Sequence, residues 1–189
     1  FRSQAFTDRL VERVKAMKVG NGMEAGIDLG PMATESQMNT VLEYVAIGKS
    51  EATHLIGGER LTGGDFDHGF YLTPAVFTDV TPSMRIAREE IFGPVLAIIE
   101  VSGYEEAIAV ANDTEYGLSA AIATTSSVYA NRFVNDIQSG TVKINRTTTG
   151  NLMNAPFGGL KRSSTSTFRE SGRGGLEFFV QIKTVYRAG

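Results

Sequence analysis

Two adjacent carboxylates, Glu89 and Glu90, stand three and two residues before an aromatic, Phe92, and Gly93-Pro94 follows at once. Two carboxylates and an aromatic followed by Gly-Pro, leading straight into a run with the length and β-branching of a buried strand, mark a candidate functional loop. Pro94 restricts Gly93 and removes a backbone donor, which turns the chain into the apolar run Val95-Leu96-Ala97-Ile98-Ile99. A loop held by a buried strand is where α/β proteins commonly carry function. The plainer reading ends a short helix at Glu89 and Glu90 and sends Phe92 into a core corner.

Other chemistry is excluded or weak. The sequence has no cysteine, hence no disulfide, thiolate metal site or cysteine nucleophile among these residues. Its two histidines do not suggest a metal centre: His54 reads as a strand-edge residue with a hydrogen-bond partner, and His68 sits in a polar, glycine-rich loop over 59–69. A formal net charge of -3 argues against nucleic acid or an anionic membrane as the main partner. No apolar run approaches the roughly 20 residues of a membrane span. The opening Phe1-Arg2 has no initiator Met, which suggests a processed start or part of a longer chain.

Periodicity supplies the elements that must position the loop. Phe6, Leu10, Val14 and Met17 recur at helical spacing, predicting an amphipathic helix over 5–17 ended by Gly20-Asn21-Gly22. Thr34 with Gln37 forms a capping-box pattern ahead of Met38, Val41, Leu42 and Val45. His54-Leu55-Ile56 reads as a strand stopped by Gly57-Gly58. Phe70-Tyr71-Leu72 and Ala75-Val76-Phe77 are short extended pieces split by Pro74, and Ser83 to Glu90 has mixed helical character.

Residues 95–145 read strand, helix, strand, helix, strand. The strands are 95–101, 118–123 and 141–144, and Ser102 and Ser126 are the candidate helix caps. Connections this short predict parallel βαβ units in one sheet, with 95–101 and 118–124 running parallel. Residues 146–174 lose all period, as a loop serving a site or an interface would. The tail, Leu176 to Tyr186, carries large and β-branched residues that must be covered by this chain or by another subunit.

Several separated motifs, in order, resemble the C-terminal part of the aldehyde dehydrogenase superfamily. They are Leu29-Gly30-Pro31-Met32, Glu89 to Pro94, Tyr116-Gly117-Leu118-Ser119-Ala120, Gly140-Thr141-Val142 with Ile144-Asn145, Pro156-Phe157-Gly158-Gly159 with Lys161, Arg169-Glu170 with Gly172, and Lys183-Thr184-Val185. The resemblance implies an α/β fold: an open, largely parallel twisted sheet with helices on both faces and a C-terminal oligomerisation strand. It implies a catalytic-domain portion at 1–145, a substrate- and cofactor-side loop region at 146–174 and an oligomerisation tail at 175–189. The cofactor domain, the nucleophilic cysteine and the water-activating glutamate would lie upstream, so this polypeptide alone is expected to be inactive.

Members of the family oxidise aldehydes to carboxylic acids with NAD or NADP. By resemblance, Glu90 binds the ribose hydroxyls beside nicotinamide, Phe92 packs on the same half of the cofactor, and Leu118 approaches the nicotinamide region. Phe157 lines the aldehyde tunnel. Glu170 is an auxiliary carboxylate at the water and proton path, or else an ion-pair partner of Arg169 or Lys161. The segment Asn145 to Asn151, with Ser163 to Gly172, looks most like enzymes that oxidise 2-oxoglutarate semialdehyde (2,5-dioxopentanoate), with Arg146 holding a terminal carboxylate. Arg146 could instead pair with a neighbouring acid. Succinate-semialdehyde or general aldehyde oxidation is the alternative, as is a non-catalytic module acting in association only. A small-molecule aldehyde, a homo-oligomer (dimer or tetramer) through the tail, no metal, no nucleic acid, no membrane and a cytoplasmic location complete the expectation.

Overall fold

The computed structural model describes residues 4–164 and 169–189. The chain forms two compact units, Phe1–Gly103 and Tyr104–Gly189, so the division falls inside the stretch expected as one catalytic portion.

The first unit holds most of the fully buried side chains. Helix α1 runs Gln4–Lys15, as its periodicity predicts, but its stripe is only partly used: Thr7 is buried while Phe6 stays exposed. Helix α2, Glu35–Glu51, begins where Thr34 Oγ1 accepts from the backbone N–H of Gln37 at 3.1 Å. Met38, Val41 and Val45 repeat at helical spacing and pack against Leu72, Ala75, Phe77, Val80 and Ile86. The next position on that face is Gly48, where a Cβ would lie 2.8 Å from the Phe77 ring, so glycine lets the helix close on the strand. Burying each such apolar side chain stabilises the unit by about 1.5–3 kcal/mol.

That core sits on a three-stranded sheet of order β1-β2-β3: β1 Thr53–Ile56, β2 Ala75–Thr78 and β3 Val95–Ala97. Strand β2 is buried along its whole length, which suits its place between an antiparallel β1 and a parallel β3. The expected strand at 95–101 is thus corrected to 95–97, continued by Ile98 N–H donating to Phe77 O at 2.9 Å. Its parallel partner is β2, and it joins no ladder with the strand after it in sequence. Which edge a strand takes depends on packing by remote residues, here α2 over β2, and the local period carries no trace of it. His54 is a partly buried strand residue, as expected: its Nε2 lies 2.8 Å from the Gly57 carbonyl and its ring packs on Phe77. Short helix α3, Arg85–Arg88, leads into the Glu89–Pro94 loop.

In the second unit, α4 is Tyr104–Asn112, β4 Tyr116–Gly117, β5 Ser119–Ile122, α5 Ser127–Asp136, β6 Thr141–Ile144, β7 Leu160–Lys161 and α6 Gly172–Phe178. Strands β5 and β6 pair in parallel from Ser119↔Thr141 to Ile122↔Ile144, with α5 as the crossover, so this βαβ unit forms as predicted. Ser126 caps α5 by accepting from Tyr129 N–H at 3.4 Å. Asn112 ties the ends of both helices together, donating to Asp136 O and accepting from Gln138 N–H, each at 2.8 Å. The sheets are therefore small and separate ladders in a mixed α/β chain, where one open parallel sheet was expected.

The predicted C-terminal strand does not form. Residues 172–178 are helical, with an Arg173–Glu177 ion pair at 2.9 Å one turn apart, and 179–189 carry no regular structure. A strand needs an edge to pair with, whereas an i,i+4 pair stabilises a helix from within. No helix among the described residues is long and apolar enough to cross a membrane.

Candidate functional site

The adjacent carboxylates Glu89 and Glu90 have opposite fates. Glu89 caps the C-terminus of α3 and takes a bidentate fork from Arg85, with Nε to Oε1 at 2.9 Å and Nη2 to Oε2 at 2.8 Å. Tyr44 of α2 donates its hydroxyl to the same Oε2 at 2.5 Å, and the Arg85 guanidinium lies 5.4 Å from the Tyr44 ring centre. The Arg85 and Tyr44 hydrogen bonds favour the ionised carboxylate and hold Glu89 down to about 2. The same contact with Glu89 pushes the Tyr44 hydroxyl up. Glu90 is exposed and has no hydrogen bond or ion pair among the described residues.

Phe92 stands two residues on, 75% exposed, with its backbone at φ 56°. A left-handed backbone is strained for a side chain of this size, and it is kept only where surrounding contacts enforce it. Those contacts come from α2. The Gln37 side-chain amide donates to Ile91 O at 2.9 Å and to Phe92 O at 3.1 Å. Gly93 is pressed onto the same helix, and a Cβ there would lie 2.3 Å from Val41 Cγ2. The sequence pattern marks Gln37 as half of a capping box. Its backbone N–H does meet Thr34, but its side chain reaches across to the loop.

In the second unit, the carboxyl ends of β5 and β6 are laced by one residue. Asn145, at φ 54°, accepts from Thr124 N–H at 2.8 Å and donates to Thr124 O at 2.9 Å. This turn delivers exposed Arg146 to a cleft of about 280 Å³ whose lining includes Lys143, Ile144, Leu152 and half-buried Phe157. Lys143 Nζ donates to Thr149 O at 2.5 Å, folding the threonine-rich segment back along β6. Leu118 links β4 to β5, with its carbonyl accepting from Thr141 N–H at 3.0 Å and its side chain 41% exposed. It is not among the residues lining the cleft.

Glu170 joins the site through its backbone. It exchanges two hydrogen bonds with Phe157, at 2.6 and 2.7 Å, and its exposed side chain has no partner among the described residues. The alternative ion pairs are not formed: Lys161 Nζ donates to Asn112 O at 2.7 Å and Thr114 O at 3.0 Å, and Arg169 Nη1 donates to Gly159 O at 2.6 Å. Arg146, too, has no acidic partner among the described residues.

Of the residues singled out in the sequence, Glu90 and Phe92 thus share one loop of the first unit. Arg146, Phe157 and Glu170 converge in the second. The stretch 165–168 of the polar segment lies outside the described residues. Gln37, Tyr44 and Arg85 were not foreseen as parts of the site. Only the four-residue spacing of Arg85 and Glu89 could have signalled one of them. Among the described residues, no group of three or more His, Asp or Glu side chains could hold a metal ion.

The chain is thus a mixed α/β polypeptide whose candidate site residues lie on a carboxylate-aromatic loop of the first unit and at a cleft of the second. The family model for the aldehyde dehydrogenase family matches residues 2–185, and the chain belongs to that family. Over 182 residues it is 47% identical to an alpha-ketoglutarate semialdehyde dehydrogenase of Haloferax volcanii, covering 96% of this chain and 37% of that protein. It is 41% identical over 181 residues to a 2,5-dioxopentanoate dehydrogenase of Saccharolobus solfataricus, with 96% and 37% covered. Among solved structures, betaine aldehyde dehydrogenase from Staphylococcus aureus in complex with NAD+ superposes with a TM-score of 0.87 at 37% identity, over 94% of this chain and 35% of that one. The chain therefore spans a little over a third of the length of the relatives it matches.

Proposed function

We propose that this chain supplies the nicotinamide-ribose contacts and the substrate-side wall of an aldehyde dehydrogenase, one that oxidises a semialdehyde such as 2-oxoglutarate semialdehyde to a carboxylic acid. The carrying observation is the division of labour between Glu89 and Glu90. One carboxylate is consumed by Arg85 and Tyr44, and its neighbour is left exposed beside an aromatic ring that stands out in water. That pair fits a nicotinamide dinucleotide: Glu90 accepts from ribose hydroxyls, and Phe92 offers a flat face to a planar ring. NAD+ or NADP+ would supply one chemistry, acceptance of the hydride that leaves the substrate. This chain's part is to bind and orient, because a cysteine nucleophile is not among its residues.

On the substrate side, Phe157 walls the cleft and Arg146 places a guanidinium at it. A planar fork without an acid partner suits a carboxylate tail and opposes a quaternary ammonium, which favours a semialdehyde over betaine aldehyde. The apolar tail supports a second contribution, association into a homo-oligomer.

The test uses a polypeptide that carries a nucleophilic cysteine ahead of these residues. Glu90→Gln should slow hydride transfer about tenfold or more, since a misplaced reactive ring loses near-attack geometry. Arg146→Met should raise KM for 2-oxoglutarate semialdehyde by about 10- to 100-fold, the worth of a charge-assisted hydrogen bond, and leave an uncharged aldehyde of similar length unchanged. Equal losses on both aldehydes would overturn the assignment of Arg146. Unchanged hydride transfer in the Glu90 variant would overturn the cofactor reading.

A further inference from the structure

We infer that Gln37 is a positioning residue, which fastens the Glu90–Gly93 loop to α2 and so holds the Phe92 ring in the orientation used for the dinucleotide; this rests on the cofactor reading above. Three observations converge. The Gln37 carboxamide gives both of its N–H bonds to consecutive carbonyls, Ile91 O at 2.9 Å and Phe92 O at 3.1 Å. Those carbonyls flank the left-handed Phe92, whose φ of 56° a phenylalanine does not hold unaided. On the other side of Phe92, Gly93 lies so close to Val41 that only hydrogen fits, which sets the loop's height above the helix.

The arrangement separates two jobs that usually share one residue. In a capping box, the side chain three residues after the cap folds back onto the cap's own backbone. Here the helix start is secured by the Gln37 backbone N–H on Thr34 Oγ1, which any non-proline substitution preserves. The side chain is thereby released for the loop, 54 and 55 residues away in sequence. Methionine at 37 would keep the length and helix propensity while removing both donors. Loss of both N–H bonds lets the Phe92 backbone relax toward φ < 0 and swings the ring off its line, while Glu90 two residues upstream loses its fixed approach.

Two variants of the 189-residue chain, Gln37→Met and Thr34→Ala, separate loop fastening from helix stability. Gln37→Met should raise amide hydrogen exchange across residues 91–95 by about tenfold, the worth of a net hydrogen bond, with β2 amides unchanged. It should also move the Phe92 amide–Hα coupling away from its left-handed value. Thr34→Ala should lower Tm and leave that coupling alone. Unchanged exchange and coupling in Gln37→Met would overturn the fastening, and this readout needs no cofactor, so it stands or falls apart from the cofactor reading. In the cysteine-bearing polypeptide, Gln37→Met should raise KM for the dinucleotide several-fold with aldehyde KM unchanged. Equal kinetics to the parent, with the loop shown to be loosened, would overturn the positioning role alone.

Discussion

Phe157 and Glu170 face each other as an isolated antiparallel bridge, each donating its N–H to the other's carbonyl at 2.6 and 2.7 Å. The bridge pins the far end of the aperiodic stretch to the cleft wall. The role of Glu170 in holding Phe157 is therefore a backbone role, while its carboxylate points into solvent.

Two substitutions at 170 should consequently differ. Glu170→Ala keeps the N–H and should change stability by no more than about 0.5 kcal/mol, as at ordinary exposed positions. Glu170→Pro deletes the donor, leaves the Phe157 carbonyl short of its partner and should cost about 1–3 kcal/mol. Urea unfolding of the two variants checks this. The family resemblance gives the Glu170 carboxylate an auxiliary part in proton movement, and on that reading Glu170→Ala should alter the pH profile of turnover in a cysteine-bearing polypeptide with Tm unmoved.

The Glu89 clamp makes a pH prediction whose sign follows from its lowered pKa. Its ordinary value is 4.5 and its folded value about 2, so the unfolded chain binds the proton more readily. The stabilisation is full above about pH 4.5 and is lost as pH falls through about 2. Compared with Glu89→Gln, the wild type should be more stable at neutral pH, and the gap should shrink steadily between pH 4.5 and 2. Arg85 and Glu89 are exposed, so added salt should narrow the gap as well. Chemical denaturation at several pH values measures it. A gap that stayed constant across that window would remove Glu89 as the titrating group.

How far the molecule could be read from its residues depended on distance along the chain. Thr34 and Ser126 announced α2 and α5 because a cap and its N–H partner lie three residues apart. The β5-α5-β6 crossover was legible for the same reason: each element carries its own period and the links are short. The neighbour of β3 was not, since β2 is selected by the α2 core through Phe77 and Gly48. Nor could the pair Glu89-Glu90 be resolved from within. Arg85 lies four positions from Glu89, but Tyr44, which completes the clamp, is 45 positions away. The motif singles out the loop, but the clamp and the Gln37 hydrogen bonds that shape it are tertiary.

The tail carries the last prediction. Aromatic and β-branched residues there read as a strand, yet α6 takes 172–178, and the rest stays irregular and open to water. Phe179 is 83% exposed, Ile182 96% and Tyr186 91%, an apolar density along one short segment that costs free energy unless something covers it. A strand is the form this segment can take once an edge is supplied, because its backbone donors and acceptors then pair while its side chains bury together. A second copy would supply the same apolar segment and could close by symmetry. The chain at micromolar concentration should therefore scatter light as a dimer or larger species, and a deletion after Gly175 should be monomeric or aggregate. A monodisperse monomer with the tail intact and ordered would sink the association claim. An oligomer that survives the deletion would place the interface elsewhere.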